Sequence, residues 1–331
     1  MAKITVVIPA YNAANTIRPC LDSVCEQLRP VDEIIVVDDG SSDVTSSIVS
    51  AYSDKVKLIV QENQGSAKAR QTGTDAAVGD YIAYLDSDDC WLDDHLLKVE
   101  RALNATTVDF LFTDLRRARP GASPSEYSVR NSTFFPWFRE RFLSKANTVS
   151  GVDKLYEFSQ QQALDLLLKG YPVFPSTVVV SRKVLQSVGE WDVRFKRCQD
   201  FDFVLRIARK FGMYYFDDVH TILSLHEGNS DANAYVLMQK TGGIKVLKTH
   251  LEENRDNPEY SMVVKHALSA KLYDIGRRYM QQEDYNNAIS TFIETISYPG
   301  KRSKAMIQLL LSAVFVSKNY CLNLMKHSHL R

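Results

Sequence analysis

The sequence predicts an α/β fold with a mainly parallel sheet, followed by a region that is wholly helical. Over the first 85 residues, short runs of apolar, β-branched residues alternate with segments whose apolar residues recur at helical spacing. Past about residue 234 the alternation stops and only the helical spacing remains. An alternation of strands and helices favours right-handed crossovers and a Rossmann-like parallel sheet with helices on its faces.

The elements of the first part are predicted in order from these patterns. Residues 4–8 form a continuous apolar run, as expected of a strand that is buried on both faces. Similar runs predict three further strands, at residues 34–37, 56–60 and 81–85. The helical spacings between these runs predict three helices, at about residues 17–28, 44–52 and 66–77.

The middle of the chain is less regular. Residues 116–151 predict a long loop with short helical pieces, and the aromatic cluster at 134–138 is interpreted as a packed flap or, less simply, as a platform for a sugar ring. Regular structure is then predicted to resume as a helix, a strand and two more helices, at residues 162–169, 177–180, 182–188 and from Asp200 onward.

The helical region carries two patterns. Apolar and small residues between 272 and 292 have the spacing of one tetratricopeptide-like helix pair. The segment 301–331 contains six Lys or Arg and no Asp or Glu, and most of it has an amphipathic helical pattern. We interpret this basic amphipathic tail either as a helix that lies in the plane of a membrane surface or as a helix whose apolar face covers its own domain.

Composition excludes several classes of protein. The chain has 331 residues, with 40 basic and 40 acidic side chains, and 45% of its residues are apolar. This usage excludes a disordered or disulfide-scaffold protein, and the zero net charge argues against a nucleic-acid binder. Five cysteines without a CxxC pair indicate reduced thiols. With no signal peptide and no apolar run of about 20 residues, the sequence predicts a cytoplasmic protein.

Polar residues follow the predicted strands, where open α/β sheets bind their ligands. They are the segments 9–12, 38–41, 62–65 and 86–89. Neither a G-x-G-x-x-G turn nor a GxxxxGK[ST] loop is present, so a dinucleotide-binding oxidoreductase or a P-loop enzyme is disfavoured. A diphosphate could instead be held through a hard cation, for which Asp86 and Asp88 supply carboxylate oxygens.

Four motifs in order resemble those of family 2 glycosyltransferases, which have the GT-A fold. The motifs are Val7-Ile8-Pro9-Ala10-Tyr11-Asn12, Val37-Asp38-Asp39-Gly40-Ser41, Leu85-Asp86-Ser87-Asp88-Asp89 and the pair Gly189-Glu190-Trp191-Asp192 with Gln199-Asp200-Phe201-Asp202. The resemblance covers about residues 3–230, and the helical region resembles extensions found on some bacterial members. It implies a GT-A domain over 1–233, with a nucleotide-sugar half at 1–115 and an acceptor half at 116–233, and a helical extension over 234–331.

The resemblance also implies roles for individual residues. Pro9, Ala10 and Tyr11, with Asn12 beside them, would form the slot for the nucleotide base, and Asp39 would accept the imide N–H of that base. Lys68 or Arg70 would contact the pyrophosphate. The ribose would bind at Asp86 and Ser87.

The metal and catalytic roles come from the same resemblance. Asp88, with His226, would hold Mn²⁺ or Mg²⁺. Asp200 would be the general base that deprotonates the acceptor hydroxyl, which implies inversion at the anomeric carbon. The sequence has Gln199 where the family more often has Glu, and Ser224 where an arginine often precedes the histidine.

Each of these residues also has a structural interpretation. The triplet 38–40 could be only a turn that ends a strand, and Asp89 could be a helix cap. Asp200 and Asp202 fit the first turn of a helix. His226 could be an ordinary loop histidine, and Lys68 and Arg70 could be solvated.

The resulting prediction is a metal-dependent inverting glycosyltransferase. It would move a sugar from a nucleoside-diphosphate donor, with UDP favoured, to a hydroxyl of a cell-surface glycan or its lipid-linked precursor. The expected partners are this donor, this acceptor, a membrane surface for the basic tail, and a second copy of the chain. The alternatives are a sugar-phosphate nucleotidyltransferase and an inert scaffold that acts through its helical region.

Overall fold

The structure is a computed structural model that describes residues 2–119, 121–128, 130–134, 136–170, 172–225 and 232–313. The chain divides into two compact units, residues 1–230 and residues 231–331. The first unit contains a mixed sheet flanked by helices, and the described part of the second unit is helical.

The first unit begins with the predicted alternation of strands and helices. Its elements are β1 Ile4–Ala10, α1 Ile17–Cys25, β2 Glu33–Asp38, α2 Thr45–Ser50, β3 Val56–Val60, α3 Ser66–Ala76 and β4 Tyr81–Tyr84. The four strands pair in parallel in the spatial order β3-β2-β1-β4. Every residue of β1 is buried, as the unbroken apolar run predicts for a central strand. The predicted parallel arrangement is therefore confirmed for this part of the sheet.

The sheet continues beyond β4 in mixed orientation. Its further strands and adjoining helices are β5 Cys90–Trp91, α4 His95–Ala105, β6 Phe110–Ala118, β7 Asn147–Thr148, β8 Leu155–Phe158, α7 Gln160–Lys169, β9 Val178–Ser181, α8 Arg182–Val188, α9 Gln199–Ala208 and β10 Met213–Ser224. Strand β9 lies between β4 and β6 and is antiparallel to both. Strand β10 pairs in parallel with β6 and antiparallel with β8. The predicted helices and strand between residues 160 and 208 are confirmed within a few residues.

Strands β6 and β10 were not predicted, because acidic residues interrupt their apolar runs. Asp114 lies within β6, and Asp217 lies at an irregularity of β10. Both carboxylates are buried and paired: Arg130 contacts Asp114 at 2.8 Å and Asp217 at 2.5 Å, and Arg139 contacts Asp217 at 2.9 Å. Neutralised charges of this kind can be buried within a sheet, which a sequence pattern alone does not reveal.

The segment between β6 and β7 contains the predicted short helices, α5 Asn131–Phe134 and α6 Pro136–Arg141. Phe138 is buried, and its ring lies 4.9 Å from that of Tyr215 on β10. Trp137 packs against Gly170, where a Cβ atom would lie 2.4 Å from the indole ring. These two aromatic residues therefore support the packed flap rather than the sugar platform.

The second unit begins with three long helices, α10 Ala232–Glu253, α11 Pro258–Gln281 and α12 Tyr285–Ile296. A further helix, α13, covers residues 302–313. Gly276 on α11 permits close packing, because a Cβ atom there would lie 2.5 Å from the ring of Phe292 on α12. No helix among the residues described here has the length and hydropathy needed to cross a membrane. Most of the predicted basic tail, residues 314–331, lies outside them.

Candidate active site

A cavity of about 700 Å³ lies where strands β1, β2 and β4 end. The loops that follow these three strands supply most of its lining, as the topology of a parallel sheet requires. Nine of the predicted site residues line it: Pro9, Ala10, Tyr11, Asn12, Asp39, Arg70, Asp86, Ser87 and Asp88. Residues from the starts of α3 and α9 complete the wall.

The loop after β1 is fixed to the loop after β2. Asn12 has a left-handed backbone conformation, with φ 48°, which asparagine tolerates better than most residues. Its side-chain oxygen accepts a hydrogen bond from the backbone N–H of Ser42 at 2.9 Å, and its own N–H donates to Ser41 Oγ at 2.9 Å. Tyr11, held by this loop, is 53% exposed at the edge of the cavity. Its ring is therefore available for stacking.

Asp39 is buried and joins the loop after β2 to the start of α3. Its carboxylate accepts hydrogen bonds from Gln61 Nε2 at 2.6 Å and from the backbone N–H groups of Gln64 at 3.0 Å and Gly65 at 2.7 Å. Gly65 has φ 91°, a conformation that favours glycine. A carboxylate has about four acceptor positions, so about one remains for a group in the cavity.

Arg70 is a deeply buried cation of the cavity wall, with 4% of its surface exposed. Its Nη2 donates to Asp86 Oδ1 at 2.5 Å, and its guanidinium carbon lies 5.1 Å from the centre of the Trp191 ring. Its Nε and Nη1 atoms have no hydrogen-bond partner within the described part of the chain. Buried donors without a partner are costly, so this guanidinium is well suited to receive the oxygens of an anionic ligand.

The carboxylates of the acidic loop after β4 differ in their surroundings: Asp89 is buried, whereas Asp88 lines the cavity. Asp89 is buried and accepts hydrogen bonds from Ser176 Oγ at 2.5 Å and from the backbone N–H of Ser224 at 2.9 Å. Burial, together with the charges of Asp88 and Asp86, raises the pKa of Asp89 well above its usual range. Asp88 instead lines the cavity, while the Ser224 hydroxyl donates to its backbone carbonyl.

The helix cap predicted as the alternative role for Asp89 is wrong, because α4 begins at His95 and Asp94 precedes it. Asp89 instead connects the acidic loop to β10 through Ser224 and to the segment before β9 through Ser176.

Helix α9 brings the predicted acceptor motif to the same region. Gln199 lines the cavity and donates to Ser66 Oγ on α3 at 2.8 Å. Asp200 follows it and lines a small neighbouring cavity together with Tyr84, Trp191 and Phe203. Burial raises the pKa of Asp200, and the nearby Arg70 guanidinium opposes this rise. A carboxylate with a raised pKa is a stronger base than an exposed aspartate.

The motif at 189–192 is attached to α9 by hydrogen bonds from Arg206 and by one ring stack. Asp202 contacts Arg206 at 2.9 Å, and this guanidinium also donates to the carbonyls of Val188 at 2.6 Å and Glu190 at 2.8 Å. The Trp191 ring stacks on that of Phe203 with 4.2 Å between centroids. Asp202 is therefore a structural residue, as its position in the first helical turn allows.

Two predicted site residues line other cavities. Asp200 lines the small one described above, and Lys68 lines one of about 480 Å³, with Gln64 and Glu190 among its other residues. His226 lies outside the described residues. Within the ranges that the structure describes, no cluster of three or more His, Cys, Asp or Glu could hold a metal ion by itself. Mg²⁺ and similar hard cations usually bind through one or two carboxylates together with substrate phosphates, and the Asp88 carboxylate fits that arrangement.

The sequence analysis missed several residues that build the site. Ser66 and Gln199 connect α3 to α9, although Gln199 was noted only as a departure from the family motif. Ser176 is fully buried, accepts the backbone N–H of Asp86 at 3.0 Å and donates to Asp89. The only sequence signal for Ser176 is that it is a polar residue between Pro175 and a predicted strand, and this signal is weak.

A family model with the description "Glycosyl transferase family 2" matches residues 5–159, which carry the loops after β1, β2 and β4. This part of the chain is therefore similar to glycosyltransferase family 2, which confirms the resemblance seen in the motifs. The succinoglycan biosynthesis protein ExoW of Rhizobium meliloti is 29% identical over 199 residues, which are 57% of this chain and 58% of ExoW. Matches to three other curated relatives span only 13%, 26% and 45% of their lengths.

Solved structures confirm the predicted GT-A fold of this chain. A fragment of Staphylococcus aureus TarS, residues 1–349 in complex with UDP-GlcNAc, is 18% identical with a TM-score of 0.61, covering 97% of this chain and 92% of that one. The mannosyltransferase PcManGT of Pyrobaculum calidifontis, in complex with GDP-Man and Mn²⁺, is also 18% identical with a TM-score of 0.61, covering 98% and 81% of the two chains. At this identity the likeness concerns the fold alone.

Proposed function

We propose that this protein is a glycosyltransferase that moves a sugar from a nucleoside-diphosphate sugar, with UDP as the favoured nucleotide, to a hydroxyl of a cell-surface glycan or its lipid-linked precursor. The observation that carries the proposal is the cavity at the strand ends, where Arg70, Asp86 and Asp88 meet. The exposed Tyr11 ring suits stacking on a nucleotide base, and the buried Asp39 carboxylate, with about one acceptor position left, suits the polar edge of that base. The buried Arg70 guanidinium suits a diphosphate. The complexes of two structural neighbours with UDP-GlcNAc and with GDP-Man support this class of donor.

Donor binding follows from the residues of the cavity wall. Tyr11 stacks on the base, with Pro9, Ala10 and Asn12 beside it, and Asp39 accepts the imide N–H with its remaining acceptor position. The free N–H groups of Arg70 bind a phosphate oxygen, while Asp86, held by Arg70, and Ser87 bind the ribose hydroxyls. Because Lys68 lines a different cavity, Arg70 is the better supported of the two predicted phosphate contacts.

Asp88 holds Mn²⁺ or Mg²⁺ together with the donor phosphates, and His226 stays a proposed second ligand. When bound, such a cation neutralises the charge that develops on the departing nucleoside diphosphate. The complex of PcManGT with GDP-Man and Mn²⁺ supports this choice of cofactor.

Asp200 takes the proton of the acceptor hydroxyl. Its burial raises its pKa, so its carboxylate is a stronger base than an exposed aspartate, and the Arg70 guanidinium keeps the ionised form accessible. A single positioned base and a single displacement invert the configuration at the anomeric carbon. The name of ExoW, a succinoglycan biosynthesis protein, supports a polysaccharide or its precursor as the acceptor.

The cytoplasm is the proposed location. Among the described residues, Cys20, Cys25 and Cys90 are free thiols. Free thiols are typical of a reducing compartment, where nucleotide sugars would be available to the cavity.

The proposal is tested by donor hydrolysis and donor binding. Purified protein is incubated with UDP-, GDP- and dTDP-sugars, with Mn²⁺, with Mg²⁺ and with chelator, and release of the nucleoside diphosphate is measured. We expect slow, metal-dependent release from one donor class. Release of nucleoside diphosphate from none of the donors under any condition would favour the inert scaffold, and formation of pyrophosphate from a nucleoside triphosphate and a sugar phosphate would favour the nucleotidyltransferase.

The Asp88→Ala variant tests the metal site. Calorimetry should show that this variant loses the difference between donor affinity with and without Mn²⁺, because the carboxylate that holds the cation is gone. The control is Asp93→Ala, an exposed acid nearby that does not line the cavity. If Asp88→Ala retains the full metal effect on donor affinity, the metal assignment is wrong.

A further inference from the structure

Helix α13 has one buried face and one exposed face. Ala305 and Ser312 are buried, and Leu309 packs with Ala305 against the cluster around Phe292. The Ser312 hydroxyl also contacts the sulfur of Met280 on α11 at 2.8 Å. This face therefore fixes the helix to the rest of the second unit and needs no further partner.

The exposed face is apolar. Met306, Ile307, Leu310 and Leu311, which we call the apolar patch, are each between 45% and 70% exposed. At about 100° per residue, these four side chains cover a stripe about 140° wide along the helix. Single exposed apolar residues are ordinary, but four in two adjacent turns of one helix indicate a surface that contacts something apolar.

Basic residues flank the apolar patch. Arg302 and Lys304 are exposed and, on the same helical projection, lie at its two edges. The sequence 301–331 has six Lys or Arg and no acidic residue, whereas the first 300 residues have 34 basic and 40 acidic side chains. The positive charge of the chain is thus concentrated in the segment that carries the apolar patch.

We propose that the apolar patch lies in the plane of an anionic membrane surface, with Arg302 and Lys304 at the level of the lipid headgroups. Aliphatic side chains between cationic edges are the arrangement by which a surface helix inserts among lipid acyl chains and headgroups. A second copy of the chain fits less well, because it would bring two segments without acidic residues, each with six basic ones, close together. This inference concerns the second unit and does not depend on the proposed transfer reaction.

The test is flotation of the full-length protein with vesicles of phosphatidylcholine alone or mixed with phosphatidylglycerol, in chelator and without donor sugar. We expect binding to the anionic vesicles that decreases as salt is raised. The double variant Ile307→Ser with Leu310→Ser should weaken this binding by at least about tenfold, because two apolar side chains no longer enter the bilayer. The matched control is Met262→Ser, which replaces a 50% exposed residue of α11 outside the patch.

A second variant separates charge from hydrophobicity. Lys304→Glu changes an exposed side chain, so the fold should be retained, and binding to anionic vesicles should fall by about tenfold. Several results would overturn the proposal: equal binding to neutral and anionic vesicles, no binding to either, or wild-type binding by both variants. It would also be overturned if the double variant converted a dimer into a monomer, measured by light scattering, and left vesicle binding unchanged.

Discussion

The two sides of the candidate site are built in different ways. On the strand-end side, residues 9–12, 39 and 86–88 belong to the end of β1 and to the loops that follow β1, β2 and β4. On the α9 side, Gln199 lines the cavity, and residues 176–224 are held by buried polar contacts among Ser176, Asp89 and Ser224 and by the Asp202–Arg206 pair. The topology of the sheet is enough to gather the first group, whereas the second group depends on individual hydrogen bonds. The α9 side should therefore be the more sensitive to single polar substitutions.

The largest expected effect comes from Asp200→Asn on the α9 side. An amide of the same shape cannot take a proton from the acceptor, so transfer should fall by about 10²–10⁴-fold, while donor affinity stays within about twofold. The measurements are single-turnover transfer to an acceptor and donor binding by calorimetry.

The control in the same helical turn is Asp202→Asn. This substitution weakens the ion pair with Arg206, so it should lower the free energy of unfolding rather than the transfer rate of the folded protein. If Asp200→Asn transfers at the wild-type rate, Asp200 is not the base. If both variants lose transfer and stability together, the α9 side has only a structural role.

The next effect concerns folding and compares two serines. Ser176→Ala should lower the free energy of unfolding by about 1–3 kcal/mol, because it leaves the partly buried Asp86 N–H without an acceptor and removes one of the two hydrogen-bond donors to Asp89. Ser42→Ala, on the strand-end side, removes an exposed contact with Asn12 and should cost less than about 0.5 kcal/mol. Urea unfolding of the full chain measures both variants. Equal losses of unfolding free energy would show that the α9 side is no more sensitive to a polar substitution than the strand-end side.

The same difference explains what could be predicted from the sequence. Strands β1, β2 and β4 consist mainly of apolar runs, so their ends, and with them Asp39, Asp86 and Asp88, could be assigned to one edge of a parallel sheet. Strands β6 and β10 contain Asp114 and Asp217, whose partners Arg130 and Arg139 come from the irregular segment between β6 and β7. Such long-range pairing has no local signal.

Ser176 is a single residue whose structural role could not be predicted from the sequence. Its importance arises from a strand that enters the sheet between β4 and β6, which brings residues 86, 89 and 176 together. The family motifs propose a role for Asp200, because the resemblance carries one for it. The same motifs give no indication of the hydrogen bonds by which Arg206 attaches α9 to the carbonyls of Val188 and Glu190.

A smaller effect is expected in the pH dependence of transfer. Burial raises the pKa of Asp200, so protonation, which blocks its action as a base, should begin at a higher pH than for an exposed aspartate. Below that pKa, kcat/KM should fall by about tenfold per pH unit, while donor affinity should not follow the same curve. The profile is measured under conditions where the fold is intact. A kcat/KM that stays flat down to the ordinary aspartate range would contradict the assignment.

The smallest effect concerns the contact that joins the two sides, between Gln199 on α9 and Ser66 on α3. This hydrogen bond is exposed, so Ser66→Ala should change KM or kcat by only a few-fold, which corresponds to about 0.5–1 kcal/mol. A double-mutant cycle with Gln199→Ala isolates the pair, because the double variant should be no worse than the more impaired of the two single variants. Additive losses would mean that each side chain acts separately, for instance on bound substrate, and that the two sides of the site are not connected through this contact. A coupled loss would mean that the hydrogen bond between Gln199 and Ser66 connects the α9 side to the strand-end side. This contact would then help to position the proposed base relative to the strand-end loops.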